Sequence, residues 1–75
     1  MAAERGVEMY LEPPTTLSQA SLVLVAHDGR WQRFTVPDEA AARTYARAHH
    51  LPCYDAAVVG YPQRMRDYKG RGRTA

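Results

Sequence analysis

The chain has one cysteine, one lysine, one tryptophan and one phenylalanine among 75 residues. It also has no apolar run of the length needed to span a bilayer. A lone Cys53 excludes an internal disulfide and fits a reducing compartment. The N-terminus lacks the basic, apolar, small-residue order of a signal peptide, so a cytoplasmic protein is expected, or one of the host cytoplasm if the gene is a bacteriophage's. Arginine stands almost everywhere that lysine could, and alanine is common; both suit a GC-rich bacterial or phage genome.

Chemical motifs are missing as well. No nucleophile, base and orienting group can be assembled from the sequence, and a chain this short has little room for a water-excluding pocket. His49, His50 and Cys53 include zinc-ligand types, but neighbouring helical positions point about 100° apart and no spaced partner completes a four-coordinate set. Cys53 reads more simply as a small buried apolar residue, and His27 as exposed. The expectation is a protein that is not an enzyme and carries no cofactor or metal.

What is present starts with residues 21–36, SLVLVAHDGRWQRFTV, two strand-like runs joined across Asp28-Gly29. The apolar run 22–25 points side chains to both faces and reads as the central strand. With a two-residue turn, Val23 lies opposite Phe34 and Ala26 opposite Trp31. With a three-residue loop and a bulge at Gly29, Trp31 pairs with Val25 instead. Phe34 and Val36 mark the core face in this reading, with Trp31 on the reverse.

Residues 7–12 alternate Val7, Met9 and Leu11 with Glu8, Tyr10 and Glu12, which favours an edge strand while leaving a short helix open. Pro13-Pro14 ends it, and a polar connector follows to residue 20. Pro37-Asp38-Glu39 opens a helix over 37–50 that Pro52 stops, with Ala41, Tyr45 and Ala48 flanked by Ala42 as its inner stripe. His49 and His50 fall in the last turn, where a cation is favoured. Residues 53–61, CYDAAVVGY, read as a further strand buried on both faces and parallel to 30–36.

The fold expected is α+β: a ββαβ core with a three-stranded sheet of order 2-1-3 and one helix on one face. A possible N-terminal edge strand adds to it, and the single domain spans 1–62. Residues 63–75 read as a flexible basic tail. Charge supports that division. Glu4, Glu8 and Glu12 against Arg5 leave residues 1–12 at −2, residues 13–63 balance, and five cations against Asp67 put residues 64–75 at +4.

The uncovered sheet face is the expected site of contact, with Tyr10, Trp31 and Arg33 as residue types enriched at binding hot spots. Arg64, Arg66, Lys69, Arg71 and Arg73 of the tail, Tyr61 and Tyr68 beside them, and Arg43 and Arg47 of the helix extend it electrostatically. The function expected is a small regulatory protein that docks on a larger machine through sheet face, sheet edge and tail. Bacterial transcription machinery, met by a phage-type modulator of RNA polymerase, fits the size and charge layout. The alternative is direct nucleic-acid binding, with arginines on phosphates and aromatic rings stacked on bases. A homodimer closing the bare face on itself is the third expectation.

Overall fold

The computed structural model describes residues 1–70 and 72–74. Three antiparallel neighbours make the centre of its mixed sheet: β1 (Glu8–Glu12), β2 (Ser21–Val25) and β3 (Trp31–Thr35). The alternation in β1 is real, and Met9 and Leu11 turn to one face while Tyr10 turns to the other. β1 is nevertheless an interior strand. Its three central residues are all buried, because β2 pairs with it on one side and β4 (Cys53–Asp55) joins parallel on the other. Glu8 and Glu12, which made the segment look solvent-facing, find cationic partners on the same face as Tyr10.

The hairpin takes the longer of its two possible loops. The Gly29 amide donates to the Ala26 carbonyl at 3.0 Å and the Ala26 amide to the Arg30 carbonyl at 2.8 Å, enclosing His27, Asp28 and Gly29. Val25 therefore pairs with Trp31 and Leu22 with Phe34. Gly29 holds φ at +96°, and a Cβ there would also run into the Arg64 carbonyl oxygen, so both backbone and space call for glycine. The Asp28 carboxylate accepts from the Arg30 amide at 3.1 Å, and that bond first of all draws its pKa below the usual carboxylate value.

Helix α1 (Glu39–Ala48) starts two residues after the expected Pro37, because Asp38 is its cap, with its side chain accepting from the Ala41 amide at 2.8 Å. Its buried residues are Ala42 and Ala46, with Tyr45 packed beside them. The inner stripe thus runs through Ala42, Tyr45 and Ala46, with the expected Ala41 half-buried beside it and the expected Ala48 exposed. Small side chains let the helix lie close on Val7, Met9, Leu11, Leu22, Leu24 and Ala26, with Phe34 and Val36 at the border. The helix is closed by two bonds, Leu51 amide to Ala46 carbonyl at 2.9 Å and His50 amide to Arg47 carbonyl at 3.2 Å, with His50 at φ +54° between them.

Two expectations fail beyond this point. The run 53–61 is a strand only over Cys53–Asp55. Asp55 then turns its carboxylate onto the Ala57 amide at 2.9 Å and caps a helical turn, α2 (Ala56–Val59). β1 already occupies the position beside β2 that a doubly buried strand would need, so the sheet order is β4-β1-β2-β3-β5 and not 2-1-3. The expected flexible tail is likewise structured over its described part. Helix α3 (Gln63–Asp67) follows Pro62, and β5 (Arg73–Thr74) pairs parallel with β3. Class and layering stand as read: an α+β fold with the main helix on one face.

The second face is closed by residues 56–70 together with Gly72. Ala56, Tyr61 and Met65 pack with Trp31 onto Tyr10, Val23 and Val25. Leu22 and Leu24 belong to the helix side. Among the described residues no helix is long and apolar enough to cross a membrane.

Candidate functional site

The expected contact face is assembled, but it faces inward. Tyr10 is only 6% exposed, its ring 5.4 Å from that of Tyr54 and 5.9 Å from that of Tyr61, centroid to centroid. Its hydroxyl donates to Glu8 at 3.2 Å, and burial first, then the Glu8 charge, push the phenol above its ordinary value. Arg33 lies over the Trp31 ring at 5.4 Å and forks onto Glu12 with bonds of 2.9 and 3.0 Å. Tyr61 donates to the same carboxylate. Arg64 reaches back to the Ala26 carbonyl at 2.9 Å and to Glu8.

This network corrects the expectation of a bare face. Trp31 is half-buried, and Gly72 comes so close that a Cβ would enter the indole ring. Among the described residues no buried side-chain nitrogen or oxygen lacks a partner. The arrangement consumes Tyr10, Trp31, Arg33, Tyr61 and Arg64 in holding the chain's own C-terminal segment.

The remaining cations do not form one field. Arg43 and Arg47 are exposed on α1, whereas Arg66 and Lys69 are exposed at α3 and just beyond it, across the sheet. Tyr68 is half-buried, and Arg73 sits in β5 opposite Gln32. Arg71 lies outside the described residues. Cys53 is half-buried beside the helix-side core, and burial pushes its thiol up, away from the reactive thiolate.

The structure brings forward residues the sequence reading passed over. At the end of the sheet where β1 and β4 finish and β2 begins, Leu17 is 96% exposed, Val58 79% and Val59 57%. A shallow depression of about 360 Å³ lies at this end. Thr15 and Ser18 of the connector form one wall and Ala56 and Ala57 of α2 the other; Leu17 belongs to the same connector, and Val58 and Val59 to the same helical turn. Asp55 was the available signal. An N-cap residue directly ahead of Ala56-Ala57 turns Val58 and Val59 from strand positions into positions on a surface helix.

The neighbouring β4 edge has hydrogen-bonding groups to offer. The Met9 amide donates to the Pro52 carbonyl at 3.0 Å, and Met9 is in register with Cys53. In a parallel ladder this turns the Cys53 amide and carbonyl and the Asp55 amide outward. Tyr54, 37% exposed, borders that edge on the second face.

Comparison with protein-family models, with curated proteins and with solved structures finds no match to this chain.

Proposed function

We propose that the chain is a small non-catalytic binding protein that docks on a larger protein, with the contact at the end of the sheet bearing Leu17, Val58 and Val59. One observation carries this reading. Leu17, Val58 and Val59 stand in solvent on the two segments whose neighbouring residues, Thr15 and Ser18 and Ala56 and Ala57, line one depression, while the core aliphatics of the sheet are sealed. Exposed β-branched residues in a four-residue helix add nothing to its stability, so their cost is explained by what covers them.

The occupant proposed is an extended segment of the partner, added along β4 through the outward groups of Cys53 and Asp55. Its apolar side chains rest on Val58 and Leu17. The narrower version, a phage-type modulator of bacterial transcription machinery, rests on size and charge layout. Arg66 and Lys69 would supply attraction to an acidic surface on such a partner.

The test is capture from bacterial lysate with the intact chain and with a Leu17→Lys, Val58→Lys double variant as baits. Both side chains are exposed, so the variant should fold normally. The expected result is a partner retained by the intact chain and lost by the variant, through a penalty of about 2 kcal/mol, or roughly thirtyfold in affinity. Equal capture by both baits would refute the surface. Retardation of generic DNA or RNA at physiological salt would favour the nucleic-acid alternative, and a doubled mass in sedimentation the homodimer.

A further inference from the structure

Residues 61–70 cross the second face as a strap. Tyr61 donates its hydroxyl to Glu12 at one end of β1, and Arg64 reaches Glu8 at the other end and the Ala26 carbonyl beyond it. Further on, Gly72 meets the Trp31 ring, and the short β5 pairs with Gln32 and Arg33. Tyr61 and Met65 supply the apolar contacts, onto Tyr10, Val23 and Val25.

The strap is fastened differently from the rest of the fold. Among the described residues no backbone hydrogen bond joins 61–70 to the sheet. The bonds there run within the strap, Met65 amide to Pro62 carbonyl at 3.1 Å and Tyr68 amide to Met65 carbonyl at 3.4 Å. Helix α3 has five residues and none is buried, too short a run to be helical without packing. Tyr61, Arg64 and Met65, which hold it, are all half-buried and stand close together in sequence, so their contacts release together. On the opposite face α1 presses buried Ala42 and Ala46 onto a sheet tied by backbone ladders.

A hinge stands where the strap begins. Gly60 closes α2 at φ +71°, a backbone state that glycine enters freely, and Pro62 fixes the approach to α3. Rotation at Gly60 and Tyr61 swings the strap away and leaves β4 and α2 where they are.

We propose that the strap opens as one unit about this hinge while the sheet and α1 stay folded, and that opening uncovers Tyr10, Val23, Val25 and Trp31. A segment with few buried contacts opens at lower free energy than the whole molecule, and a face sealed in the major state is thereby presented in a minor one. Neither the hinge nor the uncovered face includes Leu17, Val58 or Val59, so this opening and the docking surface can fail separately.

Amide hydrogen exchange read from ¹H–¹⁵N spectra, under conditions where it reports equilibrium opening, tests the strap with two variants. Ala46→Gly weakens the opposite face. It should lower the protection of the Val23 and Val25 amides at least about fourfold and leave Met65 and Tyr68 within about twofold, because the strap opens without α1. If that variant does not fold, the exposed Arg43→Gly in the same helix carries the same comparison. Gly72→Ala places a Cβ in the Trp31 ring, at a position with no left-handed backbone requirement. It should lower the protection of Met65 and Tyr68 at least about fourfold, because the far end of the strap is pried from its seat. Equal losses in strap and sheet on weakening α1 would overturn the proposal, since the strap would then open only when everything unfolds. Met65 and Tyr68 amides indifferent to Gly72→Ala would overturn it too, since α3 would then fray by itself beneath a strap that stays down.

Discussion

Gly29 joins the hairpin to the C-terminal segment: its positive φ closes the loop, and its missing Cβ makes room for the Arg64 carbonyl. Gly29→Ala therefore meets both a backbone penalty and a clash with main chain, which has no rotamer to escape into. The expected loss is about 2 kcal/mol or more, read as a lower urea midpoint with unchanged slope. Tyr10 is the residue whose ionisation should register in stability. Its phenol pKa is raised in the folded state, so the folded chain holds that proton longer than the unfolded chain. The contribution is fully present below the ordinary phenol value near 10, and is lost as pH rises through it toward the raised folded value. Tyr10→Phe keeps the ring between Tyr54 and Tyr61 and should flatten the alkaline limb of a stability-versus-pH curve; an unchanged limb would assign the alkaline loss to other groups. Of these two sites only the loop was legible beforehand. Asp28-Gly29 announces a tight turn in any sequence, whereas nothing local to Tyr10 says that residues 50 positions onward will cover it.

Among elements, the lesson lies in the contrast between α1 and α2. Helix α1 could be read from the proline and acids at its start, its small-residue stripe and the proline after it, because each signal is local and they agree. Residues 56–59 carry strand formers, and their composition pointed to a strand. The Asp55 cap and the lack of a vacant position beside β2 decided otherwise, and the second of these is a property of the sheet and not of the segment. The cover formed by residues 56–70 and Gly72 was missed for a related reason. Its grip is largely polar, with no fully buried residue in α2 or α3, so no hydrophobic periodicity marked it. Arg64 is the main clasp, spanning Ala26 and Glu8 with a side chain about 30% exposed. Arg64→Ala should cost about 1–2 kcal/mol after allowance for solvent screening. Because Trp31 is the only tryptophan, its emission reports the cover directly. A shift to longer wavelength and easier quenching by iodide are expected in the variant, and an unchanged spectrum would mean that Gly72 and the β5 pairing hold the segment without Arg64.

For the molecule as a whole, the distribution of charge decides between the two broad readings of function better than its sum. A net charge of +2 and five cations in the last twelve residues suggested a basic arm. Folding divides those cations: Arg64 is spent on Glu8, and Arg66 and Lys69 lie across the sheet from Arg43 and Arg47. A phosphate backbone lying along one side would meet at most two of these four exposed cations, so few counterions would be released. Non-specific binding to duplex DNA should accordingly be weaker than about 100 µM at physiological salt, with a shallow salt slope near −2 in log–log form. A gel shift or anisotropy titration across salt concentrations measures both quantities. A slope of about −4 or steeper would require cations from both faces to reach phosphate together, as they could if the cover formed by residues 56–70 and Gly72 left the sheet. The same titration would then show Trp31 becoming exposed, and the face expected from the sequence to meet a partner would be the one uncovered by binding.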